Sequence, residues 1–201
     1  RKAPNMGWLS FTFGLERKFK ALCSHLDVVR THQQQESAKF LAHFKGVFVI
    51  KDGKRNRPIR MEGKLPVELF ELRSNGSILA TRLVQVPADA STLNSAFCYI
   101  LNVPIESKER DEEDSAIVYV WLGSQSTPED ARLIERIAEE KFNNPWVSFQ
   151  VLAEGSEPDN FFWVALGGRK PYDTSAEFLH YTRLFRCSNE KGYFIVSEKC
   201  T

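Results

Sequence analysis

The sequence predicts a layered domain of α and β structure, with about five strands between one long helix and one short helix on opposite faces. Three observations carry that prediction. Apolar runs of strand length alternate with turn signals between residues 69 and 152, an amphipathic stretch of helical period follows Thr127, and a short aromatic stretch ends at Gly167 and Gly168.

Taken in order, residues 69–73 and 79–86 read as strands flanking Ser74-Asn-Gly-Ser77. Asn-Gly between β-rich runs predicts a hairpin, because both residues tolerate positive φ. Residues 97–103 and 117–122 are apolar on both alternating faces, the pattern of central strands covered on both sides. Thr127-Pro-Glu-Asp130 opens the long helix: Thr127 suits the N-cap, Pro128 the first turn, and two carboxylates meet the positive end of the helix dipole. Leu133, Ile134, Ile137, Ala138 and Phe142 form its apolar stripe, with Arg132, Glu135, Arg136 and Glu139 elsewhere on the circumference. Residues 147–152 read as a further strand and residues 158–166 as the short helix, in which Phe161, Phe162 and Trp163 are expected in the core.

Self-comparison sets the frame. Leu15-Glu-Arg-Lys-Phe19 matches Ala138-Glu-Glu-Lys-Phe142, Glu36-Ser-Ala-Lys-Phe-Leu41 matches Glu157-Pro-Asp-Asn-Phe-Phe162, and Leu69-Phe-Glu-Leu-Arg-Ser-Asn75 matches Leu184-Phe-Arg-Cys-Ser-Asn189. The offsets of 123, 121 and 115 residues keep chain order, so the repeat is a whole domain and not a solenoid unit. Residues 1–50 then read as the back half of one repeat, 51–66 as a basic linker rich in Gly and Pro, 67–182 as a complete repeat, and 183–201 as the start of the next. The chain does not begin with methionine, and a piece of a longer protein is expected.

Composition excludes more than it selects. With 27 basic and 26 acidic side chains among 201 residues, and 42% hydrophobic content, the chain is neither disordered nor collagen-like. Near-neutral charge leaves no extended basic face, so no nucleic acid is expected as a partner. The charge is instead local: residues 51–60 carry a net +4 and residues 106–114 a net −4. Lys51, Lys54, Arg55, Arg57 and Arg60 are candidates for an anionic lipid headgroup or an acidic protein face, or form a solvated tether. No apolar run approaches the ~18 residues of a membrane span, and no signal-peptide pattern opens the chain. The four cysteines follow no metal or disulfide spacing, which points to a reducing compartment.

No catalytic constellation is present: there is no Gly-x-Ser-x-Gly, phosphate loop, His-Glu-x-x-His or dinucleotide fingerprint, and an enzyme is not expected. Cys98 lies within a predicted central strand, where a small buried side chain is the expected role. Cys23, His25, His32 and His43 fit no usual zinc spacing. Asp130, Glu154, Glu157 and Asp159 are the carboxylates available to a hard cation. Each also has a local role open to it: Asp130 as the N3 acid of a capping box with Thr127, Glu157 and Asp159 in the first turn of the short helix.

Several stretches resemble a known family. Val120-Trp-Leu-Gly-Ser-Gln-Ser126 resembles the Trp-x-Gly-x-x-Ser/Thr turn of gelsolin and villin repeats. Ala153 to Gly168 resembles the stretch near the end of the fifth gelsolin repeat, and Thr182-Arg-Leu-Phe-Arg-Cys-Ser-Asn189 the start of the sixth. The segment from Thr31 to Leu41, followed by Phe48-Val-Ile-Lys-Asp-Gly-Lys-Arg55, is most similar to the branch in which leucine-rich repeats precede the gelsolin repeats. The resemblance implies an α+β gelsolin-like domain with a mixed central sheet, and calcium-regulated binding, capping or severing of actin filaments with phosphoinositides as competing regulators. It implies a cytoplasmic, cytoskeletal setting, extending to the nucleus, and signalling proteins as further partners.

The same resemblance assigns residues. The long helix is the element that family members set in the cleft of actin, which makes Arg132, Arg136 and Glu139 the exposed candidates. The family's calcium site takes a carbonyl and an Asp side chain from the start of a strand and a Glu from the long helix. Here the helix position matches Asp130 but the strand position falls on Phe97, and the upstream repeat has Gly7 at the helix position. An aromatic ring cannot ligate calcium, so a weak or absent site is expected.

Overall fold

In the computed structural model, the described residues are 6–29, 31, 36–52, 66–74, 81–105, 115–177, 184–188 and 195–200. The chain divides into two compact units, one of residues 1–37 with 177–201 and one of residues 38–176. The larger unit carries most of the sequence patterning.

Its elements run α2 (Ala38–Ala42), β1 (Val49–Ile50), β2 (Glu68–Arg73), β3 (Arg82–Val86), a single 3-10 turn (Ala90–Thr92), β4 (Cys98–Pro104), β5 (Ala116–Leu122), α3 (Pro128–Lys141), β6 (Val147–Ala153) and α4 (Phe161–Ala165). The sheet order is β1-β3-β2-β4-β5-β6. Pairing is antiparallel through the middle and parallel at both outer pairs, β1 with β3 and β5 with β6. It is therefore a mixed sheet, as expected, with one more strand than the five legible in the sequence. The extra strand, β1, is only two residues long and reaches the sheet from upstream of the basic segment, so no periodicity could announce it.

Period-two alternation sorts the side chains of the central strands onto two faces. On one face Phe70, Leu72, Cys98, Ile100, Val118 and Val120 meet Ile134, Ile137 and Ala138 of α3. On the other, Leu69, Tyr99, Leu101, Tyr119 and Trp121 meet Phe162, Trp163 and Leu166 from α4 and its end. The helices thus lie on opposite faces, and β4 and β5 are buried on both, which is why they read as continuous apolar runs. The aromatic face interlocks by edge-to-face geometry, with Tyr119 and Phe162 ring centroids 5.6 Å apart and Phe162 and Trp163 5.0 Å apart.

Several local expectations change. The short helix begins at Phe161 with Asn160 as its cap, not at residue 158, so Glu157 and Asp159 precede the helix instead of forming its first turn. Phe161 is 55% exposed while Phe162 and Trp163 are buried, because a single turn of helix can turn only part of its circumference to the sheet. The helix stops as expected: Gly167 and Gly168 take φ of 76° and 95°, and the Gly168 N–H closes on the Trp163 carbonyl at 2.8 Å. β2 and β3 pair antiparallel up to Arg73 and Arg82, as a hairpin requires. Its turn at Asn75-Gly76, and residues 106–114, lie outside the described residues.

The smaller unit contains α1 (Met6–Leu22) and an antiparallel pair, β7 (Leu184–Ser188) with β8 (Ile195–Cys200). Along α1, Phe11, Leu15, Phe19 and Leu22 are exposed. The matched segments fall on like elements: α1 with α3, α2 with α4, and β7 with β2. No helix among the described residues is long and apolar enough to cross a membrane.

Candidate functional site

The long helix is positioned from both ends. Thr127 Oγ1 accepts the Asp130 N–H at 3.1 Å and donates to Asp130 Oδ2 at 2.9 Å, fixing the first turn, and Phe142 N–H closes on the Ala138 carbonyl at the other end. With Ile134, Ile137 and Ala138 locked on the sheet, Arg132, Arg136 and Glu139 all point to solvent on the far side. The three form an exposed polar strip at spacings of four and three residues, neighbours on a helix.

The start of β4 is built around Gly123. Its N–H donates to the Phe97 carbonyl at 3.1 Å, and a Cβ at this position would sit 2.3 Å from the Ser95 carbonyl oxygen and 2.6 Å from that of Phe97. Only glycine permits this approach of backbone to backbone, which gives the Trp-x-Gly turn its physical reason. Phe97 packs its half-buried ring against the aromatic core. Asp130 is near enough for its charge to act on the neighbouring Cys98 thiol, which burial pushes above its ordinary pKa. The Phe97 ring thus packs with the core on the α4 side, whereas Cys98 packs with the core on the α3 side, where the charge of Asp130 reaches it. No group of three or more acidic, His or Cys side chains that could hold a metal occurs among the described residues.

Two of the other carboxylates have work that spacing did not reveal. Glu154 accepts from the Ser95 hydroxyl at 2.7 Å, the Ser124 N–H at 2.7 Å and the Tyr172 hydroxyl at 3.4 Å. Glu157 accepts from Trp121 Nε1 at 2.7 Å and the Gly155 N–H at 2.9 Å. Together they tie the end of β6 to the turn after β5 and to the loop before β4. These donors lie 30 to 59 residues from their acceptors in the chain, except Tyr172 and Gly155, so no local motif signals them. The signal in the sequence is Trp121 itself, since a buried indole N–H needs a polar partner.

Burial pushes the Glu154 pKa up, but the Ser124, Ser95 and Tyr172 donors outweigh it and hold the carboxyl below its ordinary 4.5. A depressed folded-state pKa contributes stability that is present above the unfolded value and lost as pH falls through the folded one. Glu154→Gln is expected to cost about 1 kcal/mol at neutral pH. The difference from the parent should shrink on acidification below pH 4.5, as urea unfolding at a series of pH values would reveal. A pH-independent difference would mean that the donors do not act on the ionised carboxylate.

Of the basic candidates, Lys51 pairs with Glu68, Nζ to Oε1 at 2.6 Å, so its charge is largely matched. Lys54, Arg55, Arg57 and Arg60 lie outside the described residues, as does His32 of the zinc alternative.

With the sheet, the two helix faces and the Trp-x-Gly turn in place, the domain is a gelsolin-like one, and its relatives in sequence agree. The chain is 60% identical over 202 residues to protein flightless-1 of Drosophila melanogaster, covering 100% of this chain and 16% of that protein. It is 34% identical over 176 residues to gelsolin of Xenopus laevis, covering 85% of this chain and 38% of that one. A crystal structure of a Thorarchaeota ProGel/rabbit actin complex superposes with a TM-score of 0.37 at 25% identity, covering 49% of this chain and 98% of that chain. No family model matches. The chain belongs to the gelsolin-like family. Within it the chain stands close to the flightless-1 proteins, and it spans about a sixth of the length of that Drosophila relative.

Proposed function

We propose that this chain is part of an actin-regulating array, in which residues 1–50 end one repeat, 67–182 form a complete repeat and 183–201 begin the next. Its contribution is to filament binding and to barbed-end capping or severing, in a cytoskeletal setting and with weakened calcium control. The observation that supports this reading is α3: one side is buried on the sheet, and the other presents Arg132, Arg136 and Glu139 in a row. A rigid helix with an exposed charged strip suits insertion into a cleft on a partner, and the family resemblance supplies actin as that partner.

Arg132→Glu combined with Arg136→Glu is expected to weaken cosedimentation with actin filaments about tenfold, equivalent to ~1.4 kcal/mol. Unchanged affinity in a folded variant would reject α3 as the contact. A second reading, a non-enzymatic scaffold for signalling proteins, is favoured by Phe97 at the calcium position, since a repeat released from calcium control can keep its fold for other partners. If the chain neither binds filaments nor slows pyrene-actin assembly with its neighbouring repeats attached, the scaffold reading stands in its place. Phosphoinositide binding through Lys54, Arg55 and Arg57 would accompany either, and reversing those three charges should abolish capture by phosphoinositide vesicles.

A further inference from the structure

The two edges of the six-stranded sheet are unlike. β1 at one end is two residues long, too short to template another strand. β6 at the other end runs seven residues, and its register with β5 is unbroken from Val147 to Ala153. Its outer backbone groups face no strand among the described residues. Edges of this length are normally blunted by lysine, proline or a bulge. Val147-Ser-Phe-Gln-Val-Leu-Ala153 has none of the three, and no charged side chain.

The side chains are uncovered as well. Phe149 and Val151 lie beside Val118 and Val120 of β5, and so share the α3 face of the sheet. α3 lies over β4 and β5, and of β6 only Val147 packs against that core, which leaves Phe149 36% and Val151 44% exposed. On the opposite face Ser148 and Gln150 are exposed and Leu152 is half-buried. An uncharged backbone edge and an apolar strip thus run side by side.

We propose that β6 pairs antiparallel with β6 of a second copy of this chain, about a twofold axis through Gln150 that joins the two sheets into one. The choice of a second copy rests on self-complementarity. About that axis Gln150 meets itself, Phe149 meets Val151, Ser148 meets Leu152 and Val147 meets Ala153. No like charges are set against each other, and an aromatic residue opposite a β-branched one is a favourable cross-strand pair. Beyond the strand Glu154 would meet Trp146, and its carboxylate is turned inward onto Ser95 and Ser124. The axis keeps both α3 helices on one side of the joined sheet, so the two Phe149–Val151 pairs cover each other between them. Such a contact closes on itself, and the two-residue β1 at each far edge stops growth at two copies. The proposal is independent of the actin reading, which uses the exposed strip of α3.

The test follows the 201-residue chain by sedimentation equilibrium from about 1 μM to about 1 mM, the span of Kd that moderate and weak contacts occupy. The mass is expected to rise toward twice that of the monomer. Phe149→Lys with Val151→Lys, both at exposed positions, should hold the chain monomeric throughout, with its fold checked by near-UV circular dichroism. The exposed α1 residues are a rival source of association, and Phe11→Ser with Phe19→Ser should leave the mass unchanged. Register is read by crosslinking, with Cys23, Cys187 and Cys200 replaced by serine and the buried Cys98 kept. Gln150→Cys sets its two copies about 4.5 to 5.5 Å apart from Cα to Cα, inside disulfide range, and should oxidise to a covalent dimer. Ser148→Cys lies about 13 Å from its own copy and should not. The proposal is overturned if the parent chain stays monomeric at the top of the series, if association follows α1 and survives the lysine pair, or if the two cysteine positions crosslink equally.

Discussion

Gly123→Ala is expected to destabilise the larger unit by about 3 kcal/mol and to lower its melting temperature by roughly 6 to 12 °C. The new methyl group would have to share space with two backbone oxygens, at 2.3 and 2.6 Å. Backbone cannot swing aside as a side-chain tip can, so relief requires moving the loop before β4. That loop holds Ser95, which is fully buried and bonded to Glu154, and it receives the Gly123 N–H on the Phe97 carbonyl. Displacing it would loosen the turn, the Glu154 cluster and the start of a central strand at once. Gly14→Ala is the matched control: a Cβ there meets nothing within 4 Å, and in a helix the change should be neutral or stabilising by up to about 1 kcal/mol. Thermal and urea unfolding of the two variants would separate them, and a Gly123→Ala protein as stable as its parent would contradict the packing of this turn.

The second large effect is a gain. Phe97→Asp with Asp130→Glu is expected to raise calcium affinity by about two orders of magnitude over the parent chain, because ligand charge rises from one to two and the helix carboxylate reaches one carbon further. Without calcium the double variant should be less stable by about 2 kcal/mol, since the Phe97 ring packs against the aromatic core. Saturating calcium should restore about 2.7 kcal/mol at a hundredfold excess over Kd. Titration calorimetry and calcium-dependent melting measure both. The proposal of weakened calcium control fails if the parent chain already binds at micromolar affinity and Asp130→Ala weakens it; the geometric assignment fails if the double variant binds no better than the parent.

Much of the fold is written in local pattern. The stripe from Leu133 to Phe142, the Thr127 cap and the glycine pair after Leu166 each act within a few residues, and each appears where the sequence puts it. β4 and β5 are legible for a different reason: burial on both faces removes polar residues from both alternations. The candidate site is less legible. Spacing shows Asp130 with its capping role but not the partners of Glu154 and Glu157, because Ser95, Ser124 and Trp121 reach them only after β4, β5 and β6 have been laid side by side. The short helix starts at Phe161 and not at residue 158 for the same reason, since Glu157 is drawn to the Trp121 indole instead of joining the first turn.

By itself, the sequence determined the layered α+β class and the two helices on opposite faces. Those are properties of side-chain type and period, which the chain carries wherever it goes. Only the tertiary structure decided that β1 completes the sheet, that Gly123 has no room for a Cβ, that Glu154 and Glu157 fasten loops, and that Lys51 and Lys141 converge on one ring. Each of these joins residues distant in the chain. Such a contact is fixed by the geometry of the assembled sheet, where charge, close approach and burial first act together.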